Sequence, residues 1–159
     1  NNALATALKT SAQLITSNLG TGICYVTTGG FDTHSGQANT QPGLLRAVSD
    51  SVSAFYADLA ARGMDGDVVT LMWTEFGRRV RENGSGGTDH GTAAPQFLLG
   101  GQVKGGLYGA APSLTDLVNN DFRYTTDFRQ LYATVTRSWW GLNDHVVGER
   151  FKPLPLLRA

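Results

Sequence analysis

The stretch LLRAVSDSVSAFYADL, residues 44–59, carries the longest helical pattern in the chain. Its apolar side chains recur every three or four residues and share one face of a helix: Leu44, Leu45, Val48, Val52, Phe55, Tyr56 and Leu59. Pro42 precedes the stretch and Gly63 follows it, and these residue types mark helix starts and ends. We therefore predict a helix that begins after Pro42 and ends at Gly63.

Short apolar runs of strand length lie on both sides of this helix. Residues 23–28 are β-branched and aromatic and lead into Gly29-Gly30, and residues 67–73 form the second run. A helix of this length can carry the right-handed crossover between two parallel strands. The pattern predicts a βαβ unit with both runs as strands, the first of them buried, and thus an α/β fold.

The other predicted elements follow from local periodicity and from glycine, proline and polar residues. The C-terminal helix carries Phe128, Leu131, Tyr132, Val135 and Trp139 on one face. The elements are a helix over residues 3–18, a long Gly-rich loop over 78–92, a strand at 97–99, a small hairpin within 100–108, the C-terminal helix capped by Thr125 or Thr126 and ended by Gly141, and an extended tail from Phe151 that docks on the surface.

Composition sets bounds on the class of protein. The 159 residues fit one domain, residues 1–159, and 13 basic residues balance 13 acidic ones. Without a basic excess we expect no nucleic-acid partner and no polybasic membrane contact. Because no apolar stretch approaches the ~20 residues that cross a bilayer, we also expect no membrane span. Cys24 is the only cysteine, and its apolar neighbours predict a buried, structural thiol.

Acidic and imidazole side chains follow the predicted strands, where sites form in open α/β sheets. Asp32 and His34 follow the first strand, Glu75 follows the second, and Asp89-His90 closes the Gly-rich loop. In an extended segment, residues 32 and 34 point the same way, so an oxygen and a nitrogen can reach one cation. This mixed set suits zinc, manganese or iron, with calcium as a further candidate.

Simpler interpretations of these residues stay open. Asp32 can cap a turn beside a solvated histidine, because two ligands alone do not fix a metal. The third histidine, His145, lies near the C-terminus after Asn143-Asp144. Arg78, Arg79 and Arg81 form either a solvated charged loop or a clamp for an anionic substrate group, and we take Arg78 as the candidate substrate-binding residue.

Three ordered motifs carry a resemblance to a known family. They are GGFDTH at 29–34, TEFGR at 74–78, and ENG at 82–84 continuing to GTDHGT at 87–92. Residues 124–132 and 140–142 extend the match toward the C-terminus. The sequence resembles the bacterial family called domain of unknown function 1501, whose members are described as sulfatase-like or as twin-arginine signal proteins.

The resemblance implies a fold and a relation to other enzymes. Members are exported and longer than this chain, so we expect a C-terminal portion of a larger domain and a periplasmic, secreted or cell-surface protein. A start at Asn1, without methionine and directly on a helical pattern, fits that expectation. Through this family the chain is similar to the alkaline phosphatase and sulfatase superfamily. That similarity implies a three-layer α/β fold, with a mostly parallel sheet between helices on both faces.

The resemblance also implies roles for the candidate residues. Asp32, His34 and His90 match the superfamily's ligands for one metal. Glu75 and Asp89 are further candidate metal ligands because of their positions after the predicted strands. At the second metal, Glu75-Phe76-Gly77 stands where Asp-His-Gly would be expected, so a ligand position holds phenylalanine. A competing register matches residues 89–91 to that Asp-His-Gly but leaves the end of the second strand without its motif.

Two functions follow from this set. The first is an exported metal-dependent hydrolase of phosphate or sulfate esters, including those of polysaccharides, with no catalytic nucleophile in this chain. The nucleophile and one more aspartate are expected in an upstream part of the same protein or in a companion chain. The alternative is a non-catalytic secreted or cell-surface module for binding or assembly, which keeps the fold and at most a structural metal. Phe76 favours the module, whereas Asp32, His34 and His90 favour the enzyme.

Overall fold

The computed structural model describes residues 2–142, 148 and 150–158, which group into two compact units. The first unit comprises Asn1–Val68 and Arg81–Asp89, and the second comprises Val69–Val80 and His90–Ala159. No helix in the described part of the chain is long and apolar enough to cross a membrane. The elements are α1 (Ala3–Thr16), α2 (Gln37–Ala61), β1 (Thr70–Met72), β2 (Gly77–Glu82), β3 (Thr88–Gly91), β4 (Phe97–Leu99), β5 (Leu117–Val118), β6 (Asp121–Phe122) and α3 (Phe128–Ala133).

The core of the first unit lies between α1 and α2. Leu8 and Ala12 of α1 are buried with Phe55 and Leu59 of α2, and Leu59 is fully buried. Asn2 joins the two helices: its Oδ1 accepts from the amide of Ala5 at the start of α1, and its Nδ2 donates to the Ser51 hydroxyl at 2.8 Å. Both helices predicted from periodicity are confirmed.

The start of α2 differs from the prediction. The helix begins at Gln37, and Pro42 lies inside it rather than before it. Proline has no N–H, so it cannot donate to the carbonyl of Ala38 four residues earlier. Contacts outside the helix compensate, because the Gln37 amide donates to the Gly86 carbonyl at 2.9 Å. The predicted end at Gly63 is confirmed by its left-handed φ of 68°.

The predicted buried strand at residues 23–28 is wrong, and with it the βαβ unit. This segment has no regular secondary structure and joins no sheet among the described residues, and Ile23 and Tyr25 are 70% and 72% exposed. Val26 alone of this run packs against the core of the first unit. Cys24 is exposed, which corrects the prediction of a buried thiol. The apolar run indicated strand propensity, but a strand also needs a neighbour to pair with.

The predicted loop at residues 78–92 is a β-hairpin. β2 and β3 pair with each other, and the turn between them is closed by the Asn83 amide, which donates to the Gly87 carbonyl at 2.8 Å. So short a connection makes the pair antiparallel. The sequence predicts a loop here because these strands are polar and partly exposed, and they lack the alternating apolar pattern of a half-buried strand.

The other strand pairs are short. β1 and β4 are antiparallel, with Thr70 opposite Leu99 and Met72 opposite Phe97, so the strand predicted at 97–99 is confirmed and the one predicted at 67–73 is shorter than expected. β5 and β6 form a third antiparallel pair. The three-layer parallel fold and the single domain over residues 1–159 stay predictions.

The second unit is organised around α3 and the C-terminal tail. Asp127, rather than Thr125 or Thr126, caps α3, since its side chain accepts from the Arg129 amide. A wider helical turn over Thr134–Trp139 continues α3, as expected for a helix that ends near Gly141. Instead of the hairpin predicted within residues 100–108, Val103 pairs with Leu157 of the tail. The tail is therefore extended and docked, as predicted.

The Asp127 cap generates a stability prediction. The Arg129 guanidinium donates to the Asp127 carboxylate at 2.6 Å and 2.8 Å and lowers the pKa of that carboxyl from 3.8 to about 2. A depressed carboxyl pKa stabilises the fold above pH 3.8, and this stabilisation is lost as the pH falls to about 2. We expect Asp127→Ala to cost about 1 kcal/mol at neutral pH, measured by denaturant unfolding, and to weaken the pH dependence between these values. Asp116→Asn, which alters a more exposed ion pair, is the control. An equal effect of both variants would contradict the prediction.

Candidate metal centre

The segment that carries Asp32 and His34 is folded into successive tight turns. The Thr33 amide donates to the Phe31 carbonyl at 2.9 Å, and the His34 amide donates to the Asp32 carbonyl at 3.2 Å. Thr33 is buried, so the residues on either side of it are directed toward solvent. The expected extended geometry is therefore wrong, but the two side chains still converge, because these turns bring residues two apart close together.

His34 lies between two carboxylates of the first unit. Its Nε2 is 3.0 Å from Oδ1 of Asp32, and its Nδ1 is 3.5 Å from Oδ1 of Asp89. The three side chains are 47%, 61% and 59% exposed for His34, Asp32 and Asp89. The sequence placed all three among the candidate ligands, and the structure brings them together around one imidazole that is open to solvent.

Asn83 holds this group in place. Its Nδ2 donates to the His34 carbonyl at 3.0 Å and to Oδ1 of Asp89 at 3.1 Å, while its Oδ1 accepts from the amides of Ser85 and Gly87. The side-chain amide thus uses both of its donor hydrogens and accepts two bonds at its oxygen. Sequence reasoning did not assign this role to Asn83. The Asn83-Gly84 dipeptide, a strong hairpin signal, was the clue available.

The tip of the β2–β3 hairpin also contacts the backbone around His34. The Gly36 amide donates to the Ser85 carbonyl at 3.2 Å, and the Thr88 amide donates to the Thr33 carbonyl at 3.4 Å. A Cβ at position 87 would overlap the backbone of His34 and Ser35, so only glycine fits there. The Asp32–His34 turn and Asp89 are therefore held against each other by backbone contacts as well as by Asn83.

The remaining candidate residues belong to the second unit. His90 follows Asp89 directly in the chain, and its ring stacks on Phe76 with centroids 3.9 Å apart and planes at 6°. The Arg78 guanidinium carbon lies 4.9 Å from the centroid of the Phe76 ring. Glu75 is exposed in the segment after β1. A metal shared by His90 or Glu75 with the residues of the first unit stays a prediction, and His145 lies outside the described residues.

A buried carboxylate beside His90 was not predicted from the sequence. Asp121 is 7% exposed, and its Oδ2 accepts from the Thr92 amide at 2.8 Å, directly after β3. A Cβ at Gly91 would lie 2.6 Å from Oδ1 of Asp121 and 2.7 Å from the Arg78 carbonyl carbon. This close approach fixes the backbone that carries His90. No motif marks such a role for Asp121, because the contact joins residues about thirty positions apart.

The donors around His34 are chemically suited to a divalent cation. An imidazole nitrogen and a carboxylate oxygen each bind zinc at about 2.0–2.2 Å, and donors 3.0 Å apart can contact the same ion. A histidine that binds a metal through one nitrogen commonly donates from the other to a carboxylate. Asp89, with its Oδ1 3.5 Å from Nδ1 of His34, lies on the side where such a carboxylate would accept. The geometry therefore fits Asp32 and His34 as ligands and Asp89 as the carboxylate that orients the imidazole.

The close approach at Gly87 generates a prediction for the first unit. Gly87→Ala forces the hairpin tip away from His34, because neither backbone can yield locally, and we expect a loss of roughly 1–3 kcal/mol in the free energy of unfolding. Gly84→Ala in the same turn is the matched control, since a Cβ there meets nothing within 4 Å. Thermal unfolding of both variants, with amide hydrogen exchange at residues 33–37, measures the effect. Similar values for the two variants would refute the role of Gly87.

The chain matches one family model over most of its length. A family model described as "Protein of unknown function (DUF1501)" matches residues 12–151. No curated protein and no solved structure matches the chain. Since the family match covers most of the sequence and includes the His34 cluster, the hairpin and α3, the chain belongs to the DUF1501 family.

Proposed function

We propose that this protein binds a divalent cation at His34 and takes part in the hydrolysis of phosphate or sulfate esters. The observation that carries the proposal is the His34 imidazole, with a carboxylate oxygen at each ring nitrogen, 3.0 Å and 3.5 Å away. One carboxylate shares the cation with Nε2 while the other fixes the ring through Nδ1. A hydrogen-bonding role in a turn would not need both nitrogens to face carboxylates.

The charge of the group supports a dication. The two carboxylates beside the imidazole are anionic donors, and a dication such as zinc, manganese or iron(II) balances their charge. The mixed oxygen and nitrogen donors suit these ions, whereas calcium prefers oxygen ligands alone. We therefore propose zinc, manganese or iron as the resident ion and keep calcium as a weaker candidate.

His90 and Glu75 complete the proposed ligand set. His90 is joined to Asp89 by a peptide bond, and the resemblance assigns it to the same metal as Asp32 and His34. Three protein ligands with an open position are typical of catalytic rather than structural zinc. Glu75 is proposed as a further, exposed carboxylate for the same chemistry.

The proposed reaction follows from the superfamily resemblance. A bound dication would neutralise charge that develops on the ester oxygens. The Arg78 guanidinium, planar and permanently charged, is suited to an anionic phosphate or sulfate group. We propose that the nucleophile comes from an upstream part or a companion chain, and that the protein is exported to the periplasm, the cell surface or the medium.

A second function is favoured by Phe76. This residue stands where the resemblance would require a ligand of a second metal, and its ring is stacked on His90 instead. A protein with a single cation and no second metal can serve as a secreted binding or assembly module. Loading with metal but no hydrolysis of aryl phosphate or aryl sulfate, after the upstream part is added, would favour the module.

The cation site generates a direct prediction. The purified protein should contain about one zinc, manganese or iron ion per chain by elemental mass spectrometry, since structural and catalytic sites of this donor type retain their ion. His34→Ala should lose the ion because it removes the central ligand. Asp89→Asn should weaken zinc binding by roughly 10–100-fold in a calorimetric titration, as expected for a carboxylate that orients a ligand. His90→Ala should lower the occupancy as well.

Asp58→Asn is the matched control for these variants. Asp58 is a half-exposed aspartate of α2 that pairs with Arg62, and the site does not include it. The metal content of the Asp58→Asn variant should equal that of the wild-type protein. Unchanged occupancy in His34→Ala would refute the site, and unchanged occupancy in His90→Ala would remove His90 from it.

A further inference from the structure

The second unit contains a contact between the side chains of Phe76, His90 and Arg78 whose effect on His90 the proposed function leaves open. The rings of Phe76 and His90 lie face to face, with centroids 3.9 Å apart and planes 6° from parallel. The Arg78 guanidinium carbon is 4.9 Å from the centroid of the Phe76 ring, within the range of a cation–π contact. The phenyl ring of Phe76 is thus in contact with both an imidazole and a guanidinium.

The backbone under both rings is fixed by close approaches. Gly77 follows Phe76, and a Cβ there would overlap the backbone of Ala93. Gly91 follows His90, and a Cβ there would meet Asp121 and the backbone of Arg78. With the two backbones held at these points, the remaining freedom of His90 is the rotation of its side chain. The Phe76 face limits that rotation because a stacked imidazole cannot turn without losing the contact.

A stacked phenyl ring also has an electronic preference. The face of an aromatic ring carries negative charge density and attracts cations and electron-poor rings. An imidazole that binds a cation becomes electron-poor, so the contact with Phe76 strengthens when His90 acts as a ligand. The orientation of the ring and the binding of a cation therefore favour each other.

We propose that Phe76 is a positioning residue: its ring holds the His90 imidazole in the orientation that binds the cation. This inference rests on the proposed function, in which His90 is a ligand. Phe76 occupies the place where the resemblance expects a histidine ligand of a second metal. The phenylalanine at this position supports one ligand of the first metal instead of supplying a ligand of another.

Two variants of Phe76 distinguish the effect of its aromatic face from the effect of its size. Phe76→Leu keeps an apolar side chain but removes the aromatic face, whereas Phe76→Tyr keeps the face. Phe97→Leu is the control, because Phe97 is a half-exposed phenylalanine of the same unit outside the stack. All three are made in the full chain, and their overall NMR spectra confirm that they are folded.

The first measurement follows the His90 ring in the metal-free protein. With ¹³C-labelled histidine, and with His90→Gln to identify the signal, the ring protons of His90 should appear upfield because of the ring current of Phe76. In Phe76→Leu the signal should move to the position of an unstacked histidine, and in Phe76→Tyr it should stay. An unmoved signal in Phe76→Leu would overturn the stack and the proposal with it.

The second measurement is zinc affinity by competition with a chelator of known strength. We expect Phe76→Leu to weaken zinc binding by about tenfold or more, the usual effect of losing a group that orients a metal ligand. Phe76→Tyr should bind zinc with the affinity of the wild-type protein, and so should Phe97→Leu. Rescue by tyrosine, which a general loss of stability would not show, supports a positioning role.

The outcomes distinguish this inference from the proposed function. If His34→Ala abolishes zinc binding but Phe76→Leu binds zinc as the wild-type protein does, the cation site stands and the role of Phe76 is refuted. If the wild-type protein binds no zinc, manganese or iron, the proposed function itself fails, and the positioning role fails with it.

Discussion

The candidate site depends above all on the side-chain amide of Asn83. One of its hydrogens binds the carbonyl of His34 and the other binds the carboxylate of Asp89, while its oxygen closes the turn that precedes Asp89. The same group therefore fixes the backbone of the histidine, the position of the carboxylate and the shape of the loop between them. Aspartate would lose both donors, and glutamine would move the amide by a methylene group, so asparagine suits this position best.

This constraint extends to the start of α2. Residues 37–41 form the part of the helix before Pro42, and the proline withholds one hydrogen bond from it. The same hairpin tip that Asn83 closes accepts the Gln37 amide at Gly86, and the Thr88 hydroxyl bonds the Gln37 side chain. A short helical turn that would be weak alone is stabilised by these contacts, because most helical stability in proteins comes from tertiary interactions. The tip of the β2–β3 hairpin therefore stabilises both the candidate metal ligands and the start of α2.

The sequence predicted what local patterns determine. The helical stripes of α1 and α2, the end of α2 at Gly63 and the strand at 97–99 all agree with the structure. Asp32, His34 and Asp89, which lie together in the structure, belong to a predicted ligand set that also includes Glu75 and His90, and the metal role of that set stays a prediction. The strand predicted at residues 23–28 is wrong because apolar composition does not indicate whether a neighbouring strand is available to pair with it. The hairpin of β2 and β3 was not predicted because its polar strands are held by a turn and by Asn83 rather than by a buried face.

The exposure of the His34 cluster bears on which of the two functions is better supported. A structural metal is normally enclosed by four protein ligands, whereas a catalytic metal keeps a position open to water or substrate. Asp32, His34 and Asp89 are each about half exposed, so an ion bound there would keep contact with solvent. Solvent also screens the repulsion between the two carboxylates, so the group costs little stability before a cation binds. For the proposed cation, this accessibility fits a catalytic role better than a purely structural one, because a structural ion would gain nothing from remaining accessible.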